Sequence, residues 1–326
     1  MAKISVYLNP HASQAVHQFN VDELKKYFFR YDVEIKNPSS LDELVNMIKL
    51  DRETGVDCIF SVGGDGTAHT IAQNLVGSKI KLLVLPGGTA NDFANELGTN
   101  SNLKKVAGIF HARNTKLVDI IKVNERYLMT NGGVGIASKV AHKVNKLRKQ
   151  LGLFKALLKT VGKNTYSYIF IQELLASPFE MREVFIDSPD LPLLDKKISS
   201  PLILINNQSK LAGKFPVAPD TKNDDGKFNV TIFLHDNKMD FMKASSAFLL
   251  GKFPENDKKI IQFETSQLQM ISLDNKNLDF FGDGESFELS TELNISILPK
   301  ALEVFAHNDN LLLCSSYSLD SIPAIQ

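Results

Sequence analysis

The sequence predicts an α/β N-terminal domain with a mostly parallel sheet, then an all-β, sandwich-like C-terminal domain that carries a helical insertion. Three observations lead there. Short apolar runs alternate with amphipathic helical stretches through the first 120 residues, the pattern of a parallel sheet with helices on its faces. Those runs are apolar nearly throughout, as strands covered on both sides are. From about Leu128 the pattern shifts to a basic helical stretch and then to β-type runs, some alternating at period two.

In chain order, residues 4–8, 33–35, 58–62 and 80–85 read as strands from their apolar runs. Between them, 21–29, 41–50 and 67–75 read as helices from the spacing of their apolar residues. A helical stretch follows over 139–175, then strands over 180–186, 202–205, 229–234, 259–271 and 288–298. Ile261-Gln262-Phe263 and Ile295-Ser296-Ile297-Leu298 alternate as antiparallel strands with one wet face do. A chain of 326 residues is comfortable for two cores. We place a nucleotide-binding domain at 1–127 and a β-sandwich at 128–299, with the tail 300–326 packing back on the first domain.

Composition removes several classes of function. With 37 basic and 37 acidic side chains the net charge is zero, which argues against bulk nucleic-acid binding. At 43% hydrophobic and 23% charged residues the chain is globular. Cys58 and Cys314 are too few for a disulfide scaffold or a Cys-rich zinc site, so a reducing compartment is expected. The seven histidines show no HExxH or other ligand spacing, and no Gly-x-Ser-x-Gly elbow is present. The start MAKISVYLNP has no secretory signal, and no run of 18 apolar residues occurs, so a membrane would be met from its surface.

The sharpest local signal is Gly63-Gly64-Asp65-Gly66-Thr67, after a strand and before a helix. Glycines let backbone amides approach phosphate oxygens, and the following helix N-terminus adds donors and a positive dipole end. The run lacks the third glycine of the dinucleotide fingerprint, and no GxxxxGK[ST] stretch exists. A second turn of this kind, Pro86-Gly87-Gly88-Thr89-Ala90-Asn91-Asp92-Phe93-Ala94, follows the next strand. Two such turns on successive strands can clasp one polyphosphate. Asn91 and Asp92 are equally readable as N-caps of a short helix.

These two segments together resemble the diacylglycerol kinase catalytic-domain family, which includes soluble bacterial lipid kinases and the sphingosine and ceramide kinases. Asn9-Pro10, Asp119, Asn131-Gly132-Gly133-Val134-Gly135, Asp225-Gly226-Lys227-Phe228-Asn229-Val230 and Asp283-Gly284-Glu285 extend the likeness in order and spacing. The resemblance implies a first domain like that of NAD kinases and phosphofructokinases, a β-sandwich second domain, and an active site where the two meet. NAD kinases share the Gly-Gly-Asp-Gly-Thr turn, but their second motif is an Asn-Glu pair, where this chain has Gly-Thr-Ala-Asn-Asp-Phe-Ala.

On that basis ATP would be cradled by Gly63, Gly64, Gly66 and Thr67, with Gly88, Thr89 and Asn91 completing the site. Asn37, at the end of the second strand, is a nucleotide contact by position. Asp65 would hold Mg²⁺ against the phosphates. The acceptor hydroxyl needs a base, and Asp283 and Glu285 are both candidates, two apart around Gly284. Asp225, with the carbonyls of Lys222 and Lys227, matches a family position for a structural Mg²⁺. Two departures stand out: Gln14 in His11-Ala12-Ser13-Gln14 where the family often has Ser-Gly-Lys, and Ala68-His69-Thr70 where an acid usually follows Thr67.

Between Lys139 and Lys163 lie eight Lys or Arg and no acid, interleaved with Leu147, Leu151, Leu153, Phe154, Leu157 and Leu158. Such a stretch can lie on an anionic membrane or pack on its own domain. The expectation is a cytoplasmic, ATP- and Mg²⁺-dependent lipid kinase, peripheral at the inner membrane face, acting on diacylglycerol or a related lipid. The rivals are an NAD-kinase-like phosphotransferase and a catalytically silent lipid- or ATP-binding relative. The pattern does not set the oligomeric state, and a homodimer is one option.

Overall fold

In the computed structural model, Lys3–Leu8 lies between Asp32–Lys36 and Cys58–Gly63, and Cys58–Gly63 pairs in turn with Lys81–Pro86, all in parallel. The structure describes residues 1–9, 19–88, 91–150, 164–211, 215–287 and 289–307, without the side chains of 148–150 and 164–167. Tertiary contacts divide the chain into two units. One holds Met1–Val118 and the described residues from Leu302 on, and the other holds Asp119–Ala301. The first joint falls within the strand Thr115–Val123, ahead of the boundary at 127/128 read from the sequence.

The first unit is an α/β layer. Its helices begin at side-chain caps: Asn20 accepts from the amides of Asp22 and Glu23 ahead of Val21–Tyr27, and Ser40 from that of Glu43 ahead of Leu41–Thr54. Leu41–Thr54 ends at Gly55, whose left-handed φ of 72° closes it. Ile4, Val6, Phe60 and Val62 are buried with Leu24, Phe28, Leu103, Val106 and Phe110 in one core. The rings of Phe28 and Phe60 stand edge to face at 5.1 Å. The last residues of the strand Glu292–Phe305 join this unit: Val304 pairs in parallel with Leu82, and Phe305 packs 4.9 Å from Phe110.

The second unit is a sandwich with an all-antiparallel sheet in the order Ile260–Thr265, Phe228–Phe233, Leu202–Asn206, Asn131–Gly135, Phe281–Gly282, Glu285–Ser286. Its other sheet pairs Gln267–Ser272 with Arg182–Asp187 and with Glu292–Phe305, and Arg182–Asp187 with Lys197–Ser200. Between the sheets Val134, Ile203, Val230 and Phe280 meet Ile186, Met270, Leu293 and Ile295. Leu202–Asn206 and Phe228–Phe233 are buried at every position. Their outer face is covered too, by Ala141, Leu174, Phe241 and Phe248 of the helices Ile136–Gln150, Asn164–Ala176 and Lys238–Leu249.

Three sequence expectations change in detail. The single strand expected over 259–271 is two strands in different sheets, Ile260–Thr265 and Gln267–Ser272. The hydroxyl of Thr265 donates to the carbonyl of Gln267 at 3.0 Å and turns the corner. The helical stretch expected over 139–175 is the two helices Ile136–Gln150 and Asn164–Ala176, with 151–163 outside the described residues. The helix Lys238–Leu249 was not expected at all, although Asn237 caps it on the amide of Asp240.

Candidate active site

The strand Cys58–Gly63 delivers its glycine-rich end straight into the helix Asp65–Leu75, whose first turn begins at Gly64. The neighbouring Lys81–Pro86 does the same one strand over, leading to the helix Asp92–Glu96. The two turns touch through backbone. A Cβ built on Gly88 would lie 2.5 Å from the Gly64 Cα, so glycine is required there by lack of space. The Gly87 amide donates to the Gly63 carbonyl at 2.7 Å. Asn91, at φ 54°, folds its amide back on Gly88: Oδ1 accepts from the Gly88 amide at 2.8 Å and Nδ2 donates to the Gly88 carbonyl at 2.9 Å.

Asp65 ties the turns together. Its carboxylate accepts from the Asn91 amide at 2.8 Å and from the Phe93 amide at 3.4 Å, at the start of the helix Asp92–Glu96. A carboxylate there also complements the helix dipole. The half-buried Asp65 thus acts as a brace, and a carboxylate is a group that a hard cation takes as a ligand. Asn91 is the residue before that helix and makes no side-chain cap on it, so its amide serves Gly88 and not the helix end. Thr67 is buried, and its hydroxyl accepts from Asn9 Nδ2 at 2.8 Å, linking the end of the first strand to the turn. Gly66 is exposed on the same turn, and Asn37 is exposed just beyond Asp32–Lys36. Thr89 and Gln14 lie outside the described residues. In place of the expected acid after Thr67, the Thr70 hydroxyl donates to the Gly66 carbonyl at 3.0 Å, and His69 is buried beside Gln73 at 2.8 Å.

In the second unit the Asp283-Gly284-Glu285 turn joins Phe281–Gly282 to Glu285–Ser286. Its two carboxylates have opposite fates. Asp283 is buried at φ 51° and accepts from the amides of Met129 at 2.9 Å and Thr130 at 2.7 Å, and from the Thr130 hydroxyl at 2.5 Å. Its own amide donates to the Asn131 carbonyl at 3.2 Å. Glu285 is exposed, and its carboxylate has no hydrogen bond or ion pair among the described residues. Around the turn, Asn145 Nδ2 donates to the Gly284 carbonyl at 2.8 Å, and Ser286 Oγ lies 3.0 Å from His142 Nδ1.

Asp119 organises the other loop of this unit. Fully buried, it accepts from the amides of Gly226 at 2.6 Å and Lys300 at 2.7 Å, and its amide donates to the Asn223 carbonyl at 2.7 Å. That holds Lys222, Asp224, Asp225 and Lys227 at the surface, where Asp225 Oδ1 accepts from the Lys227 amide at 3.1 Å. One carboxylate with main-chain carbonyls suits a hard, well-hydrated cation. No group of three or more His, Cys, Asp or Glu with metal-holding geometry occurs among the described residues. Of the basic stretch, Lys139 pairs with Glu180 at 2.7 Å and Lys143 with Glu173, while Lys146 is exposed.

Comparison with known proteins bears on what such a pair of motifs is for. The model of the diacylglycerol kinase catalytic domain matches residues 3–123, and that of the YegS C-terminal NAD kinase beta sandwich-like domain matches residues 133–306. The chain belongs to the diacylglycerol kinase catalytic-domain family. Among relatives within it, a diacylglycerol kinase of Bacillus subtilis (strain 168) is 27% identical over 254 residues, 75% of this chain and 78% of that one. A diacylglycerol kinase of Mycobacterium tuberculosis (strain CDC 1551 / Oshkosh) is 23% identical over 256 residues, 77% of each. A solved Bacillus anthracis structure superposes with a TM-score of 0.72 at 19% identity, over 95% of this chain and 98% of that one, which shows the fold. A second structure from that organism, of a diacylglycerol kinase, gives 0.65 at 18% over 94% and 97%.

Members of the diacylglycerol kinase catalytic-domain family are lipid kinases by name, and this chain is a lipid kinase at that level. No helix among the described residues is long and apolar enough to cross a membrane. Asn9, marked in the sequence by its Asn-Pro turn, joins the first motif through Thr67. Sequence reasoning passed over three side chains that shape the second motif, Thr130, His142 and Asn145, because each meets it only through tertiary packing.

Proposed function

We propose that this lipid kinase transfers the γ-phosphoryl group of ATP, with Mg²⁺, to a hydroxyl of diacylglycerol or a related membrane lipid, with Glu285 as general base. The observation that carries the reading is the division of labour in the Asp283–Glu285 turn. Asp283 spends its carboxylate on three hydrogen bonds, whereas that of Glu285 is exposed and unengaged among the described residues. A base must reach its proton, and a carboxylate already surrounded by donors is a poor acceptor.

Phosphoryl transfer needs positioning and charge neutralisation more than covalent help. The amides of Gly64 and Gly66, at the N-terminus of the helix Asp65–Leu75, offer donors to phosphate oxygens, and Asp65 and Asn91 brace the neighbouring Gly88 turn against them. Mg²⁺ on Asp65 would spread the phosphate charge, and a second one at Asp225 with the carbonyls of Lys222 and Lys227 would stiffen its loop. The lipid hydroxyl loses its proton to Glu285 as its oxygen bonds to the γ-phosphorus and the bond to the β-phosphate oxygen breaks, leaving ADP. Contact with an anionic membrane through the basic 139–163 stretch would bring the acceptor into reach.

The test is transfer from labelled ATP to a panel of lipids in mixed micelles: diacylglycerol, monoacylglycerol, phosphatidylglycerol, sphingosine and ceramide. A labelled lipid that vanishes with Glu285→Gln supports the reading and names the acceptor class. No labelled lipid from the unaltered protein, with ATP bound, overturns it.

A further inference from the structure

Residues 142 and 145 are three apart on the helix Ile136–Gln150 and therefore project from one face of it. That face meets the Asp283–Ser286 turn at two points that bracket Glu285. Asn145 Nδ2 donates to the carbonyl of Gly284, the residue before it, at 2.8 Å. His142 Nδ1 lies 3.0 Å from the hydroxyl of Ser286, the residue after it. The opposite side of the helix is anchored in the sandwich: Val140, Ala141 and Val144 are buried, against Ile169 and Phe170 of the neighbouring helix and Phe281 of the sheet. The helix is therefore fixed where it touches the turn.

Turn geometry makes that contact matter. Gly284 has φ 80° and no atom within 4 Å of where a Cβ would stand, so packing does not restrain it. The hairpin pairs Gly282 with Glu285, and with glycine free on both sides of the map the Gly284 carbonyl is a further point at which the peptide before Glu285 is held against rotation. That rotation swings the Glu285 side chain. The Asn145 hydrogen bond holds the carbonyl, and Asp283, pinned on Met129 and Thr130, holds the other end of the turn.

We propose that Asn145 and His142 are positioning residues that aim the Glu285 carboxylate, Asn145 by holding the peptide before it and His142 by holding the side chain of the residue after it. The proposal rests on Glu285 being the base. In this role neither side chain needs to touch substrate. Both act through the direction in which Glu285 points, and a misplacement of about 1 Å at a reacting group costs about 100-fold in rate.

The experiment compares unaltered protein, Asn145→Ala, His142→Ala and Glu285→Gln, each with a thermal unfolding curve. Hydrogen–deuterium exchange over 281–287 is the readout that needs no activity. Loss of the Asn145 amide is expected to speed exchange of the Glu285 and Ser286 amides while the sheet partners Asn131–Gly135 stay protected. Exchange at the unaltered rate in both single variants overturns the proposal even if no acceptor lipid is found. For transfer, Asn145→Ala is expected to lower kcat about 10- to 100-fold with the KM for ATP unchanged. Asn145→Gln, which keeps the donor, recovers part of the loss. In a Glu285→Gln background Asn145→Ala is expected to cost nothing further, because the group it aims is gone. The same fold-loss in both backgrounds would show a general structural role and overturn the assignment. Transfer undiminished by Glu285→Gln would instead sink the choice of base.

Discussion

Asp283 carries a side chain at a φ of 51°, a region that costs most L residues of order 1 kcal/mol, and its three hydrogen bonds offset that cost. Asp283→Asn turns an amide N–H toward donors, and the expected outcome is a loss of about 1–3 kcal/mol in urea unfolding. Glu285→Gln, on an exposed group without such partners, is expected to leave unfolding unchanged and to lower lipid phosphorylation by about 10²- to 10⁴-fold. Retained transfer in that variant would remove Glu285 from the mechanism. Gly88 is subject to a different constraint. A methyl there meets the Gly64 Cα at 2.5 Å, backbone that cannot give way cheaply, and the Asn91 side-chain Oδ1 at 3.0 Å. Gly88→Ala is expected to separate the two turns, with about 1–3 kcal/mol of strain, and to weaken binding of a fluorescent ATP analogue. Unaltered binding would exclude this turn from the nucleotide site.

Elements differ in how openly they announce themselves. The parallel strands of the first unit were legible because each is an apolar run between turn residues. The helices Val21–Tyr27, Leu41–Thr54 and Asp65–Leu75 were legible because their apolar residues recur at helical spacing, whereas Leu103–His111 went unread. The corner at Thr265 was not: its neighbours continue the β pattern on both sides, and a single hydroxyl on the Gln267 carbonyl bends the chain from one sheet to another. The helix Lys238–Leu249 went unread, although Phe241, Ala244 and Phe248 stand at helical spacing and Asn237 and Asp240 spell its cap. The basic helix Ile136–Gln150 is subtler again. Lys139 and Lys143 are engaged by Glu180 and Glu173, so the charge left for a membrane lies further along the chain. Lys146→Glu, Arg148→Glu and Lys149→Glu together are expected to weaken cosedimentation with vesicles of anionic lipid. Equal cosedimentation would discard membrane contact through this stretch.

Across the whole molecule, buried acids set the alkaline limit of stability. Burial pushes the Cys58 thiol well up, and burial aided by the Asp51 hydrogen bond does the same to the Tyr7 phenol. Burial also raises Tyr31. A folded pKa above the unfolded one gives stability that is complete below the unfolded value, about 8.5 for a thiol and 10 for a phenol. It is lost as pH rises through the folded value. Resistance to urea is therefore expected to fall above about pH 9 through Cys58 and above about pH 10 through Tyr7, each by up to about 1.4 kcal/mol per pH unit. Cys58→Ala should flatten the profile by one group, and an unchanged slope would show that the thiol contributes none of it. The order of motifs along the chain was enough to assign the family, the two-part architecture and the short list of candidate residues, since strand ends and glycine spacing are local properties. Which carboxylate is consumed and which stays available was decided through space. Asp283 is held by Met129 and Thr130, 154 and 153 positions before it, and hydrogen-bond satisfaction at such separations exists only once the chain has folded.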